Sequence, residues 1–219
     1  LKETLEQKAE MKVRELLSEV RKSVSEMFKA VRQMPRELKV FTVILFISIF
    51  EEPMFHMFMS LYAVHVVGIS RADWAVLNVV WSATALAVGI PLGKAVDVMG
   101  RKKALVLSYL LWIPSTVFFI ISRGFLDLLV IFVIFSLGAS FFGPAEQALI
   151  ADLTPKEVRG RVMAAIGNLN LVAAACASAI AGFLYQLDPV MPFLTCVFID
   201  ILVLTLILLF LREPEAREA

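Results

Sequence analysis

The chain has 219 residues, of which 59% are hydrophobic and 19% charged, and its mean hydropathy is +0.81. Ordinary soluble domains carry fewer apolar and more charged residues, and disordered chains lack this much apolar surface, so both classes are excluded. Two cysteines are too few for a disulfide scaffold or a cysteine-rich zinc module, and the net charge of +1 identifies no partner.

Residues 1–37 differ from the rest of the chain. Their apolar residues recur at helical spacing and form one stripe, while the opposite face mixes basic and acidic side chains. The pattern predicts a cytoplasmic amphipathic linker helix, or two helices, ending near Pro35. The stripe would lie on the membrane surface, pack on the ends of other helices, or belong to a solvated linker. Because the chain begins with Leu1, we expect it to be a piece of a longer polypeptide.

Six apolar stretches follow, each long enough for a helix that crosses a bilayer core, which takes about 20 residues. They cover residues 40–67, 72–92, 104–122, 126–150, 162–187 and 190–211. These helices have almost no polar face, which argues against a soluble bundle. The sequence therefore predicts an all-α membrane protein with a six-helix transmembrane unit over 38–212 and a cytoplasmic tail over 213–219.

The basic residues predict the orientation of the spans. Nineteen of the 21 Lys and Arg residues lie in segments that share one side, and only Arg71 and Arg123 lie on the other. Because cytoplasmic loops carry the excess of basic residues, we expect a multi-pass cell-membrane protein with both termini in the cytoplasm. The basic residues follow this topology, so they give no support for nucleic-acid binding.

The first span carries ionisable residues at its middle. Glu51 lies twelve residues after Lys39, about 18 Å into the membrane, and is followed by Glu52, Pro53 and His56. Charges at this depth are costly and indicate function. We expect at least one of the two acids to face a central cavity and to be protonated during part of a transport cycle. The alternative is a Glu52–His56 pair that satisfies itself between helices.

Other polar and aromatic residues in the spans are weaker candidates for the cavity, since packing explains each of them equally well. They are Tyr62, Asn78, Trp81 and Asn168. Asn170 lies about 200° from Asn168 around the helix, so at most one of these two asparagines faces the cavity. Asp200, in the middle of the last span, is expected to have a packing or interface role.

Two connections carry motifs with defined spacing. The one after the second span contains Gly93, Asp97, Gly100, Arg101, Lys102 and Lys103, and the one after the fourth contains Asp152, Arg159 and Arg161. They resemble the loop signature and the second cytoplasmic loop of a six-helix half in the major facilitator superfamily. The first motif departs from the family pattern at Val98, where a basic residue is usual.

The resemblance implies a fold and a function. Members of that superfamily have twelve spans in two halves, and this chain resembles the C-terminal half, a 3+3 inverted repeat, with the cytoplasmic segment before it. It implies a secondary active transporter that moves a small organic solute by alternating access, with or without proton coupling. The partner would be the N-terminal six-helix half or a second copy. No cofactor, metal or enzymatic activity is expected.

The resemblance also implies a cytoplasmic gate, in which charged pairs hold one access state and release it in the other. The network would consist of Asp97, Arg101, Asp152 and Arg159. Glu146, near the end of the fourth span, is expected to pair with Arg101 or Arg161 in this gate. The alternative is that Glu146 contributes to substrate binding.

Three other kinds of membrane protein remain open. The membrane domain of an ATP-driven exporter also has six spans, but its helices extend far into the cytoplasm, and no phosphate-binding Gly-Lys-Ser/Thr motif occurs here. A self-associating six-helix membrane protein would need no missing half. An intramembrane enzyme would need a nucleophile beside a base, and neither histidine has one next to it in sequence.

Overall fold

The computed structural model describes residues 36–154 and 159–212, without the side chains of residues 161, 162, 165, 168 and 169. Every regular element in these ranges is a helix. The α-helices are α1 (Arg36–Ser48), α2 (Glu51–Tyr62), α3 (Arg71–Met99), α4 (Arg101–Ile120), α5 (Phe125–Leu153), α6 (Arg159–Leu187) and α7 (Met191–Phe210), and a π-helical turn, Ala63–Val67, continues α2. The tail and all but the last two residues of the predicted linker helix lie outside the described residues.

Five helices, α3 to α7, are long and apolar enough to cross a membrane. They correspond to five of the six predicted spans and make the chain a multi-pass membrane protein. The first predicted span, 40–67, is divided between α1, with 13 residues, and α2, with 12. Its crossing of the membrane as a sixth span stays a prediction.

The division of the first span follows from Pro53. Proline has no backbone N–H, so the carbonyl of Ile49 loses the helical partner that residue 53 would supply. The chain tightens at this point, and the Phe50 N–H donates to the Ile47 carbonyl at 3.2 Å. The new helix begins at Glu51, which places Glu51 and Glu52 in the first turn of α2. Acids in this position interact favourably with the helix dipole.

Helix α5 packs against both α3 and α4, while α2 packs against α6 and α7. Aromatic rings from four helices meet around Phe55 of α2. Its ring lies 5.6 Å from Phe119 of α4, 5.0 Å from Phe135 of α5 and 5.6 Å from Phe193 of α7, measured between centroids. This cluster fixes the depth of α2 relative to its neighbours.

The connection between α3 and α4 is shorter than the sequence predicts. The motif from Gly93 to Lys103 was expected to form the reversal, but α3 runs to Met99 and α4 begins at Arg101. Gly100 alone makes the turn, with φ of 98°, a conformation that side chains with a Cβ rarely adopt. The rest of the motif is helical because its apolar residues continue the burial of α3 at Val96.

Candidate functional site

A cavity of about 420 Å³ lies between the helices. Residues of α1 to α6 line it, together with Ile49 in the break between α1 and α2. The cavity lies near the middle of the first predicted span, because Glu51, which lines it, is halfway along the segment from Arg36 to Val67. Its lining has an acidic part and an aromatic part.

The acidic part consists of Glu51 and Glu52 of α2 and Glu146 of α5. Glu52 is exposed and Glu51 half-buried, so the two adjacent acids meet different surroundings although both line the cavity. His56, one turn after Glu52, also lines it and lies 6.3 Å from the Trp81 ring between centroids. Within the described part of the chain, no Lys or Arg lines the cavity. No group of three or more His, Cys, Asp or Glu there could hold a metal ion.

Hydrogen bonds to backbone carbonyls fix the aromatic part of the wall. The Trp112 indole N–H of α4 donates to the Phe135 carbonyl of α5 at 3.2 Å. The Ser136 hydroxyl of α5 donates to the Trp81 carbonyl of α3 at 2.8 Å. Gly138 faces the Trp112 ring directly, and a Cβ at this position would collide with it. The absence of a side chain at Gly138 therefore allows Trp112 to lie against α5.

Four of the predicted cavity residues line the cavity: Glu51, Glu52, His56 and Trp81. Tyr62 does not; it is buried, and its hydroxyl donates to the Ile120 carbonyl at 2.8 Å. Asn78 is exposed elsewhere on α3 and donates to the Trp74 carbonyl at 2.8 Å. The side chain of Asn168 lies outside the described residues.

Glu146 is expected to pair with Arg101 or Arg161 in the gate, and the structure places it away from Arg101. Glu146 lines the cavity with Glu52, while Arg101 lies beside Asp152. The reason is depth, since Asp152 follows Glu146 by six residues of helix, a distance of about 9 Å along α5. Arg101, at the start of α4, is level with the end of α5 rather than with Glu146. The side chain of Arg161 lies outside the described residues.

A second charged site, here called the ion-pair group, surrounds the turn at Gly100 and consists of Asp97, Arg101 and Asp152. Arg101 Nη1 lies 3.1 Å from Asp97 Oδ1, and Arg101 Nε lies 3.3 Å from Asp152 Oδ2. The side chains of Arg101 and Asp152 are 8% and 3% exposed, whereas that of Asp97 is 68% exposed. The buried Arg101–Asp152 pair joins the start of α4 to the end of α5.

Other motif residues hold helix ends near this group. Arg159 Nη2 donates to the carbonyls of Ala151 at 2.7 Å and Thr154 at 3.2 Å, at the end of α5. Lys102 Nζ donates to the Leu208 carbonyl at 3.0 Å, near the end of α7. Cations at helix C-termini satisfy carbonyls that have no helical partner. Gly93 lies within α3, and no described atom lies within 4 Å of the position its Cβ would take.

Several cavity residues were not among the sequence-based candidates. Tyr109, Trp112 and Phe142 complete the aromatic wall, and Asn170 contributes an amide. Asn170 was weighed as the alternative to Asn168, but sequence alone gave no way to choose between them. The aromatic residues carry no sequence signal for a cavity, because the same residue types fill apolar cores.

The family model described as Major Facilitator Superfamily matches residues 41–219. An uncharacterised MFS-type transporter of Methanocaldococcus jannaschii is 28% identical over an alignment of 176 residues. The alignment covers 75% of this chain and 42% of that protein. The fold is similar to the crystal structure of a bacterial homologue of the human lysosomal transporter Spinster, in an inward-facing, unoccupied conformation. That similarity has a TM-score of 0.64 at 20% identity and covers 84% of this chain and 44% of the other.

The chain thus spans less than half the length of both relatives. The match of the family model extends from the middle of α1 to the C-terminus and includes the cavity and the ion-pair group. It confirms the resemblance drawn from the two loop motifs. This chain belongs to the Major Facilitator Superfamily.

Proposed function

We propose that this chain forms one wall of a secondary active transporter that moves a small organic solute by alternating access. The observation that carries this proposal is the cavity of about 420 Å³, which combines carboxyl groups and aromatic rings in the interior of membrane helices. A solute site in such a bundle is formed by facing walls near the middle of the bilayer. The exposed side chains of Glu52 and His56 leave one face of the cavity open to a second wall.

The second wall would come from the N-terminal six-helix half of the same transporter, or from a second copy of this chain. The two relatives support the first option, because each is more than twice the length of the matched region. In the complete half, α1, α2 and the π-helical turn would together form the sixth crossing. Residues 36–67, 32 in number with Ile49 and Phe50 included, would extend about 48 Å, more than the roughly 30 Å of a bilayer core.

The orientation and the gate follow from the charges. With nineteen of 21 basic residues on one side, both ends of the half would lie in the cytoplasm. The ion-pair group would then lie at the cytoplasmic ends of α3, α4 and α5. Its buried Arg101–Asp152 pair would hold these ends together in one access state and separate in the other. The family match supports a secondary transporter over an ATP-driven exporter.

Two-sided accessibility of the cavity tests the proposal without knowledge of the solute. In the full-length protein, with native cysteines replaced, Ala139→Cys places a thiol on the cavity wall. A membrane-impermeant maleimide should label it both in right-side-out and in inside-out vesicles. Asp188→Cys, in the turn between α6 and α7, should react from one side only, and Phe198→Cys, exposed on α7, from neither. Labelling of Ala139→Cys from one side alone contradicts alternating access.

A further inference from the structure

Asp200 has surroundings that its expected packing role does not explain. It lies at the midpoint of α7 and is 1% exposed. Neither of its carboxyl oxygens has a hydrogen-bond partner among the described residues. An ionised carboxylate in this position lacks both water and a compensating donor, which makes the charged form costly. The site therefore requires a counter-charge or a proton.

An acid that interacts with Asp200, Glu51, lies on α2. Helices α2 and α7 run antiparallel, since Tyr62 near the end of α2 lies 5.0 Å from Phe193 near the start of α7, between ring centroids. Closer to the middle, the Cys196 thiol lies 3.7 Å from the backbone carbonyl of Glu51. Asp200 follows Cys196 by one helical turn, beside the start of α2.

The side chains of Glu51 and Asp200 lean towards each other. In a helix the Cα–Cβ bond tilts towards the N-terminus. Glu51 therefore leans towards the start of α2, where Asp200 lies, and Asp200 leans back towards the level of Cys196. The two carboxyls interact electrostatically, with like charge when both are ionised.

None of the groups that surround this pair supplies a positive charge. Tyr109 of α4 is buried and interacts electrostatically with both acids. Cys196 of α7 interacts with both as well. Glu52 adds a further negative charge beside Glu51. Within residues 36–154 and 159–212, no Lys, Arg or His is among the groups that interact with the pair.

The wider surroundings contain two more titratable groups. Glu146 of α5 interacts with Glu52, and so does His56. Both line the cavity, as Glu51 does, whereas Asp200 does not. Glu51 therefore has access to the cavity, whereas Asp200, on α7, does not line it.

We propose that Glu51 and Asp200 form a single proton-binding site, in which one proton is shared between the two carboxyls. The proton enters from the cavity onto a carboxylate oxygen of Glu51, and the resulting O–H donates to the carboxylate of Asp200. It leaves by the reverse route. Proton binding changes the charge of the pair from two negative charges to one, which relieves the repulsion between two adjacent carboxylates in a poorly solvated site. The proposal rests on the proposed transport function, to which it adds the residues that bind the coupling ion.

Infrared difference spectroscopy tests the shared proton directly. The full-length protein in lipid nanodiscs is titrated while the carbonyl stretch of protonated carboxyls is followed, with isotope-labelled Asp separating Asp200 from Glu51. The wild type should show two coupled steps that involve both residue types. Glu51→Gln and Asp200→Asn should each reduce the two steps to one. Asp127→Asn, at the exposed start of α5, should leave both steps in place.

Two outcomes would overturn the shared proton. Persistence of both steps in either isosteric variant means that the acids titrate independently, and if one variant does not fold, the other still decides. A titration that changes between sodium chloride and choline chloride means that sodium occupies the site instead. The labelling of Ala139→Cys is read separately. Two-sided labelling with no coupled titration contradicts the proton pair alone, and one-sided labelling contradicts the transport proposal.

Discussion

Two regions of this molecule bury a carboxyl group, but only one of them places a cation beside it. In the ion-pair group, the Asp152 side chain is 3% exposed and lies 3.3 Å from the Arg101 guanidinium. At the middle of α7, Asp200 is 1% exposed and has no hydrogen-bond partner in the described ranges. Burial is nearly equal in the two regions, so burial alone does not decide how an acid behaves. The charge of the neighbouring group does.

The two kinds of surroundings suit an acid to two different functions. An acid beside a guanidinium forms an ion pair that connects the elements carrying the two charges, here α4 and α5. An acid beside another acid changes its charge when a proton arrives, and it responds to the contents of the cavity next to it. The first arrangement suits a gate, and the second suits the binding of a coupling ion.

Removal of Arg101 should have the largest effect on stability, because it takes away the cation that lies beside the buried Asp152 carboxylate. Arg101→Ala leaves a buried carboxylate without its cation, which costs about 3–5 kcal/mol of unfolding free energy. Denaturant titration of the full-length protein in detergent measures the loss. Lys103→Ala, an exposed cation two residues away, serves as the control and should change little. Equal stability of the two variants would mean that the Arg101–Asp152 pair does not hold the helix ends.

A smaller loss should follow from a steric change near the cavity that leaves the ion-pair group untouched. Gly138→Ala pushes Trp112 away from α5 and breaks its hydrogen bond to the Phe135 carbonyl. Overpacking of this kind costs about 1–3 kcal/mol. The same denaturant titration applies, with Gly182→Ala as the matched control, since no described atom lies near the position of its Cβ. A harmless Gly138→Ala would show that the Trp112 contact does not support the cavity wall.

Asp97, the exposed member of the ion-pair group, should contribute little to the free energy of unfolding. The Asp97 side chain is 68% exposed, and solvent screens its interaction with Arg101. Asp97→Asn should therefore cost about 1 kcal/mol or less, far below Arg101→Ala. A loss as large as that of Arg101→Ala would place the strength of the group in Asp97 instead of Asp152.

The smallest effect on stability is expected at Asp200. Asparagine keeps the shape of aspartate without its charge, and its amide oxygen can accept the Glu51 O–H, so Asp200→Asn should change the unfolding free energy by less than about 1 kcal/mol. Asp152→Asn is the contrasting variant and should be strongly destabilising, because it removes the charge of the buried acid beside Arg101 and leaves only the exposed Asp97 carboxylate in the ion-pair group. Similar losses in the two variants would remove the distinction between paired and unpaired acids.

Much of the fold was predictable because membrane spans depend on local composition. The five long helices, the family and the motifs around Arg101 and Asp152 follow from runs of apolar residues and from fixed spacings. The connection after the second span is shorter than the eleven residues, 93–103, left between the predicted spans, because a single glycine with positive φ makes the turn. The break before Glu51 was foreseeable in part, since Pro53 removes a known hydrogen bond.

The site was less predictable, because its contacts join residues far apart in sequence. Depth along one helix placed Glu51, Glu52 and His56 at the cavity. Depth did not exclude Tyr62 and Asn78, whose hydrogen bonds go to backbone carbonyls instead. The position of Asp200 beside Glu51 depends on how α2 packs on α7, and no local pattern contains that information. Glu146 was assigned to the gate because it lies near the end of the fourth span. Its distance from Arg101 depends on the packing of α4 and α5, which the sequence does not contain.

Binding of a proton to the Glu51–Asp200 pair should shift the balance between the two access states, one of which is held by the Arg101–Asp152 pair. The most direct test is the ratio of labelling of Ala139→Cys from the two sides of the membrane, measured across a range of pH. The ratio should depend on pH in the wild-type background. It should lose that dependence when Glu51→Gln and Asp200→Asn are combined, with the Arg101–Asp152 pair intact. A pH dependence that persists in the double variant would contradict the role of the Glu51–Asp200 pair as the proton-binding site.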